Sequence, residues 1–145
     1  MRFLEFSMWE SDEKRTLSWA LSLFSFEQEP AWRLLYIEFI GASPDGMPVT
    51  SFENLVRQSV DGYAMTSEQL AQLADGIRDL NEIELKGVID GNVVIELKAL
   101  DSTLWKASYD EVAVRYVEPS DEQRRRSIAL GPLPCLRGAS RPLKN

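Results

Sequence analysis

The sequence predicts an α+β fold: a mainly antiparallel sheet of five to six strands with two helices inserted mid-chain, in the order β-β-β-α-α-β-β-β, followed by an irregular basic C-terminal tail. Three observations carry this. Segments in which apolar and polar side chains alternate with period two lie on both sides of the middle of the chain. The middle itself has helical spacing and a capping signature. Residues 83–99 fold back on themselves as a hairpin whose facing side chains match in character.

The first segment, "RFLEFSMWE", places Leu4, Phe6 and Met8 on one face of a strand. "SDEKR" is a polar turn. "TLSWALSL" alternates again, with Leu17, Trp19, Leu21 and Leu23 against Ser18, Ala20 and Ser22. The two segments read as a β-hairpin, with a bulge or bend near Leu23 where Phe24 and Phe26 take over the alternation. "PAWRLLYIEFIG" has a proline and a glycine placed as helix boundaries would place them. It is also rich in aromatic and isoleucine residues and nearly apolar on both faces, which favours a central strand.

"GASPDGMP" carries turn chemistry. "VTSFENLVRQSV" then reads as a short helix capped by Thr50 or Ser51, burying Phe52, Leu55, Val56 and Val60. After "DGY", "MTSEQLAQLADGIRDL" is the clearest helix. Thr66 and Gln69 form a capping-box pair, and Leu70, Leu73, Ile77 and Leu80 make one apolar stripe, with Gly76 a weak point inside it.

"EIELKGVIDGNVVIELKAL" specifies its own register. A three-residue Asp90-Gly91-Asn92 turn opposes Ile89 with Val93, Gly87 with Ile95, Leu85 with Leu97 and Ile83 with Ala99. It also joins Lys86 to Glu96 and Glu84 to Lys98. A slip of one residue mixes apolar with charged side chains at every position. In "LKALDSTLWKASYDE", Asp101 and Ser102 then form a corner, and Thr103, Trp105 and Ala107 begin another alternating strand. "DEVAVRYVEP" reads as a last strand on its valines, or as a short helical turn stopped by Pro119. The organisation is one α+β domain over 1–119. Residues 120–145 follow as a short helix and a tail rich in proline and arginine.

The chain has 145 residues, 44% hydrophobic and 27% charged, which suits one domain with its own core. No apolar run reaches the ~20 residues of a membrane span. The first fifteen residues lack the pattern of a signal peptide, because Glu5 interrupts the apolar stretch. One cysteine, Cys135, forms no internal disulfide, and the expected location is cytoplasmic. The net charge of −7 is uneven: residues 1–120 hold 10 basic and 21 acidic side chains, and residues 121–145 hold 6 and 2. An acidic body disfavours nucleic acid and membrane surfaces and favours basic partners.

The sequence contains no histidine, which excludes Ser-His-Asp and Cys-His catalysis and His-ligated metals. No phosphate-loop, dinucleotide or calcium-loop motif occurs. No catalytic residue, metal ligand or cofactor is assigned. A Ser-Lys pairing of Ser102 with Lys98 or Lys106 conflicts with the match of Lys98 to Glu84, so Ser102 reads as a corner residue. The Arg124–Arg126 run lacks interleaved aromatic residues and reads as solvated or internally paired. The candidate partner-binding residues are acidic: Glu68, Asp75 and Asp79 opposite the apolar stripe of the main helix, Glu82 just beyond it, and Asp61 in the preceding loop.

This layout of strands, a helical pair, "ELKGVIDGNVVIELKALDSTLW" and a short end resembles small acidic bacterial toxin-immunity proteins of contact-dependent and polymorphic toxin systems. The resemblance covers residues 1–118 loosely and contains no diagnostic motif. It implies binding to a cognate toxin domain and occlusion of its active site, with acidic groups standing in for phosphates where the toxin is a basic nuclease. The alternatives are a scaffold or ligand-binding domain using its tryptophans, and a carboxylate-based hydrolase.

Overall fold

A computed structural model of the chain describes residues 1–118; the short helix and tail expected over 120–145 lie outside them. The fold is α+β, as expected. Its centre is a six-stranded antiparallel sheet of β1 (Arg2–Ser7), β9 (Leu104–Tyr109), β8 (Asn92–Leu100), β7 (Ile77–Ile89), β5 (Ala31–Gly41) and β6 (Tyr63–Met65), in that order. Two small ribbons flank it: β2 (Trp9–Glu10) with β3 (Glu13–Lys14), and β4 (Phe24–Phe26) with β10 (Val114–Tyr116). The helices are α1 (Leu17–Ser22), α2 (Val49–Gln58) and α3 (Ser67–Gly76).

Alternation along the strands separates two faces. Leu34, Ile37 and Phe39 of β5, Ile83 and Leu85 of β7, Leu97 and Ala99 of β8, and Trp105 and Ala107 of β9 are buried. Leu17, Trp19 and Ala20 of α1, Phe52 and Val56 of α2, and Leu70 and Leu73 of α3 pack onto them. Phe24 of the β4–β10 ribbon completes this layer, 5.5 Å from Tyr109 between ring centres. Two of the core indoles keep a hydrogen bond, Trp32 to Ser67 Oγ and Trp105 to the Arg15 carbonyl. α2 lies along β5 past the point where β6 ends, and Glu53 accepts a bond from the Phe39 backbone amide at 3.1 Å. The carboxylate thereby occupies an edge donor that would otherwise be open to another strand.

Four local expectations change. Residues 17–22 form helix α1 and no hairpin with β1, whose partner is β9 across the whole chain. The Thr16 hydroxyl caps α1 by accepting from the Trp19 amide, and Ala20, assigned to a polar face by alternation, is fully buried. α2 begins after Pro48 without a side-chain cap, so neither Thr50 nor Ser51 has that role, and Val60 lies beyond the helix, exposed.

α3 keeps its capping box of Thr66 and Gln69 but stops at Gly76. Ile77 and Leu80, placed on the helical stripe, belong to β7. The chain after β5 presses on this point. Ala42 N donates to the Gly76 carbonyl at 2.8 Å, and a Cβ on Gly76 would sit 2.7 Å from the Ala42 oxygen. Gly41, at φ +150, would bring a Cβ to 2.2 Å from the Gly76 oxygen. Two glycines let the backbones meet, and the helix ends where they do.

The 83–99 hairpin has the expected pairs from Ile83–Ala99 through Gly87–Ile95, including Glu84–Lys98 and Lys86–Glu96. Its tip differs. Val88 faces Val93 and Ile89 faces Asn92, so the turn is the two residues Asp90-Gly91, both at positive φ as a type I′ turn requires. Val94 is the extra residue of a bulge, and that bulge restores the matched register below the tip. The strand expected over 111–118 is the three-residue β10.

Candidate functional site

The most highly connected polar region lies where β8 turns into β9. Asp101 and Ser102 are consecutive residues in the left-handed region, at φ 48 and 56. Such backbone costs about 1–2 kcal/mol per non-glycine residue and persists only where its surroundings fix it. Here they do. Thr103 N and its hydroxyl both donate to the Leu100 carbonyl, Ser102 N donates to the Asn81 carbonyl, and the exposed Trp9 donates its indole N–H to the Ser102 carbonyl at 2.8 Å.

The Ser102 hydroxyl accepts from Lys14 Nζ at 2.9 Å and donates to Asn81 Oδ1 at 2.9 Å. Lys14 also donates to Asp79 at 2.7 Å, and its ammonium lies 5.6 Å from the centre of the Trp9 ring. Asn81 in turn donates its amide to Glu38. The chain of contacts therefore runs Asp79–Lys14–Ser102–Asn81–Glu38, with Trp9 over one end. A nucleophilic serine must give its proton to a base. The Ser102 proton goes to an amide oxygen, and the neighbouring lysine is itself a donor to the hydroxyl. Ser102 is thus a corner residue, as its sequence context indicates, and its side chain is the bridge between β3 and β7.

This corner opens onto the sheet face away from the core. Two rows of that face contrast. In one, Glu84, Lys98, Lys106 and Glu5 lie on four neighbouring strands, with Glu84–Lys98 and Lys106–Glu5 each 3.9 Å apart. Lys98, Lys106 and Glu5, with Phe3, Glu96 and Ser108, border a shallow groove of about 280 Å³. In the other, Glu38 of β5 directly opposes Glu82 of β7. Neither forms an ion pair among the described residues; Asn81 alone contributes a donor, to Glu38. Directly opposed like charges weaken a sheet.

The five acidic residues picked out in the sequence divide among three places. Glu68 and Asp75 are exposed on α3, and Asp61 is exposed in the turn after α2 at φ 61. Asp79 and Glu82 stand on β7, so the single helical face expected for Glu68, Asp75, Asp79 and Glu82 does not form. Asp79 is committed to Lys14. Glu82 gains Glu38, a residue that sequence reasoning passed over; the strand reading of 31–40 put it opposite Ile37 and Phe39 but gave no neighbour for it. Lys14 and Asn81 were missed for the same reason, since Lys14 and Asp79 are 65 positions apart; Trp9 was named only among the tryptophans of the scaffold or ligand-binding alternative.

Among the described residues, no helix is long and apolar enough to cross a membrane, and no three Cys, Asp or Glu residues are grouped to hold a metal ion. Compared with known protein families, curated proteins and solved structures, the chain matches none.

Proposed function

We propose that the protein is a binding protein of the immunity type: it captures a basic toxin domain and covers that domain's active site. The observation that supports this reading is the Glu38–Glu82 pair, two carboxylates held face to face on an open sheet without a cation among the described residues. Folding does not need this arrangement, and a lysine or arginine from a partner relieves it. Trp9, 44% exposed and tied to the same corner, supplies the large amphipathic side chain that binding hot spots favour. The interface so proposed centres on Trp9, Glu38 and Glu82, with Glu68, Asp75 and Asp61 adding long-range attraction through the −11 balance of residues 1–120.

The test uses the product of the adjacent gene, expressed with and without this protein. Rescue of growth by the wild type, and loss of rescue in the Glu38→Lys/Glu82→Lys variant with an unchanged circular dichroism spectrum, is the expected result. A neighbouring product that is acidic, harmless and fails to bind removes the immunity reading.

A further inference from the structure

We propose that the cavity between the 42–47 turn, α3 and β6 binds a small organic cation with a planar body and N–H donors. It encloses about 290 Å³, near the lower end of the range for small-molecule sites. Its walls divide by chemistry. Tyr63, Met65 and Leu73 give apolar surface, while Gln69, Gln72 and Asp45 add polar groups.

The electrostatics have one sign. Among the described residues, no lysine or arginine borders the cavity. Asp45 forms no ion pair among the described residues. Gln69, Gln72, Leu73 and Gly76 present one flank of α3 to the same space, and none of them carries a charge. A cation gains from the Asp45 carboxylate, and an anion is repelled by it.

The site is also built before any ligand arrives. The Gly41–Gly76 contact fixes one wall, and Tyr63 is held edge-on to Phe52 with ring centres 5.6 Å apart. Asp45 is kept at φ 56 and ψ 25 in the Pro44–Gly46 turn, a conformation that only a few non-glycine residues tolerate. Beside it, the Ser43 hydroxyl is closed off from solvent and has no hydrogen-bond partner, a cost that the fold carries at the cavity wall. Pre-organisation of this kind lowers the entropy lost on binding. The inference stands apart from the Glu38–Glu82 surface and does not depend on the immunity reading.

Three probes of one shape and different charge test it on the full chain: benzamidine, benzamide and benzoate, followed by amide and side-chain chemical shifts. Benzamidine is expected to bind most tightly, with shifts centred on Tyr63, Gln69 and Gln72. Benzamide should bind about fivefold more weakly, as when a charge-assisted hydrogen bond gives way to a neutral one, and benzoate should produce no shift there. Asp45→Asn keeps a residue that accepts left-handed backbone. It should weaken benzamidine about fivefold and leave benzamide unchanged. Equal affinity for the three probes, shifts located elsewhere, or benzamidine binding indifferent to Asp45→Asn overturns the proposal.

Discussion

Three like-charged cross-strand pairs share the open face of this sheet, Arg33–Lys86, Lys98–Lys106 and Glu38–Glu82, and the protein treats the last two differently. Lys98 opposes Lys106, and each has a carboxylate at 3.9 Å, so the row closes as carboxylate, ammonium, ammonium, carboxylate. Glu38 opposes Glu82, and among the described residues only the Asn81 amide answers it. The first row is electrically complete within the chain. The second has no cation among the described residues. Surface ion pairs contribute little to folding, so the lysine row reads as solubility and register. The Glu38–Glu82 pair has no such explanation, and it is the part of the face that the proposed partner would use.

The comparison breaks most sharply in binding. Reversing Glu38 and Glu82 together to lysine should slow association with a basic partner by at least about tenfold at low salt, with the difference shrinking as ionic strength rises. Neutralising Lys98 and Lys106 together with Glu84 and Glu5 should change the rate little. Stopped-flow measurements across a salt series check both. Equal effects from the two rows would remove the distinction drawn between them.

The next effect is on stability. Asn81→Asp keeps the acceptor for Ser102 but replaces the donor to Glu38 with a third carboxylate. Loss of a hydrogen bond to a charged group, together with new repulsion, should cost about 1–2 kcal/mol. Urea unfolding measures it as a lower midpoint at unchanged slope. An unaltered midpoint would show that Asn81 does not hold the acidic row together.

A smaller cost is expected where the lysine row is opened. Glu5→Gln with Glu84→Gln leaves Lys98 and Lys106 facing each other uncompensated, which reproduces in positive charge what Glu38 and Glu82 present in negative charge. The expected loss is about 0.5–1 kcal/mol in low salt. It should be largely recovered at high salt, because these side chains are 40% exposed or more.

How much of this was legible in the sequence depended on distance along the chain. The lysine row was half readable: Glu84–Lys98 follows from the 83–99 hairpin, where turn and alternation fix the register locally. The acidic row was not, because Glu38 meets Glu82 through pairing of β5 with β7, and the loop, helices and β6 between them give no register signal. Short elements misled in another way. Six residues of "LSWALS" satisfy alternation and a helix equally, and Thr16 as a cap decides between them only once Ala20 is seen to be buried. In α3, the stripe through Ile77 and Leu80 continued with helical spacing past a glycine whose role, close approach of Ala42, involves a residue 34 positions earlier. The acidic residues were identified as a group from charge alone, but charge does not say which strand or helix will carry them.

The smallest effect is the most direct reading of the acidic row. Glu82→Gln removes one of two opposed carboxylates without changing size, and leaves Asn81 bonded to Glu38. If the pair is uncompensated in the free protein, its repulsion is an existing cost, and the substitution should stabilise the fold by a few tenths of a kcal/mol, at about the low end of cross-strand pair energies. The gain should fade with added salt, since Glu38 is exposed and Glu82 only half-buried. The same substitution should weaken partner binding, so stability and affinity move in opposite directions at one residue. Most surface substitutions lie within about 0.5 kcal/mol and few raise stability while lowering function. Thermal melting at low and high salt, paired with the binding rate, gives both numbers. A melting temperature that falls on Glu82→Gln would mean that Glu82 already has a stabilising partner in the free chain, and the contrast between the two rows would then disappear.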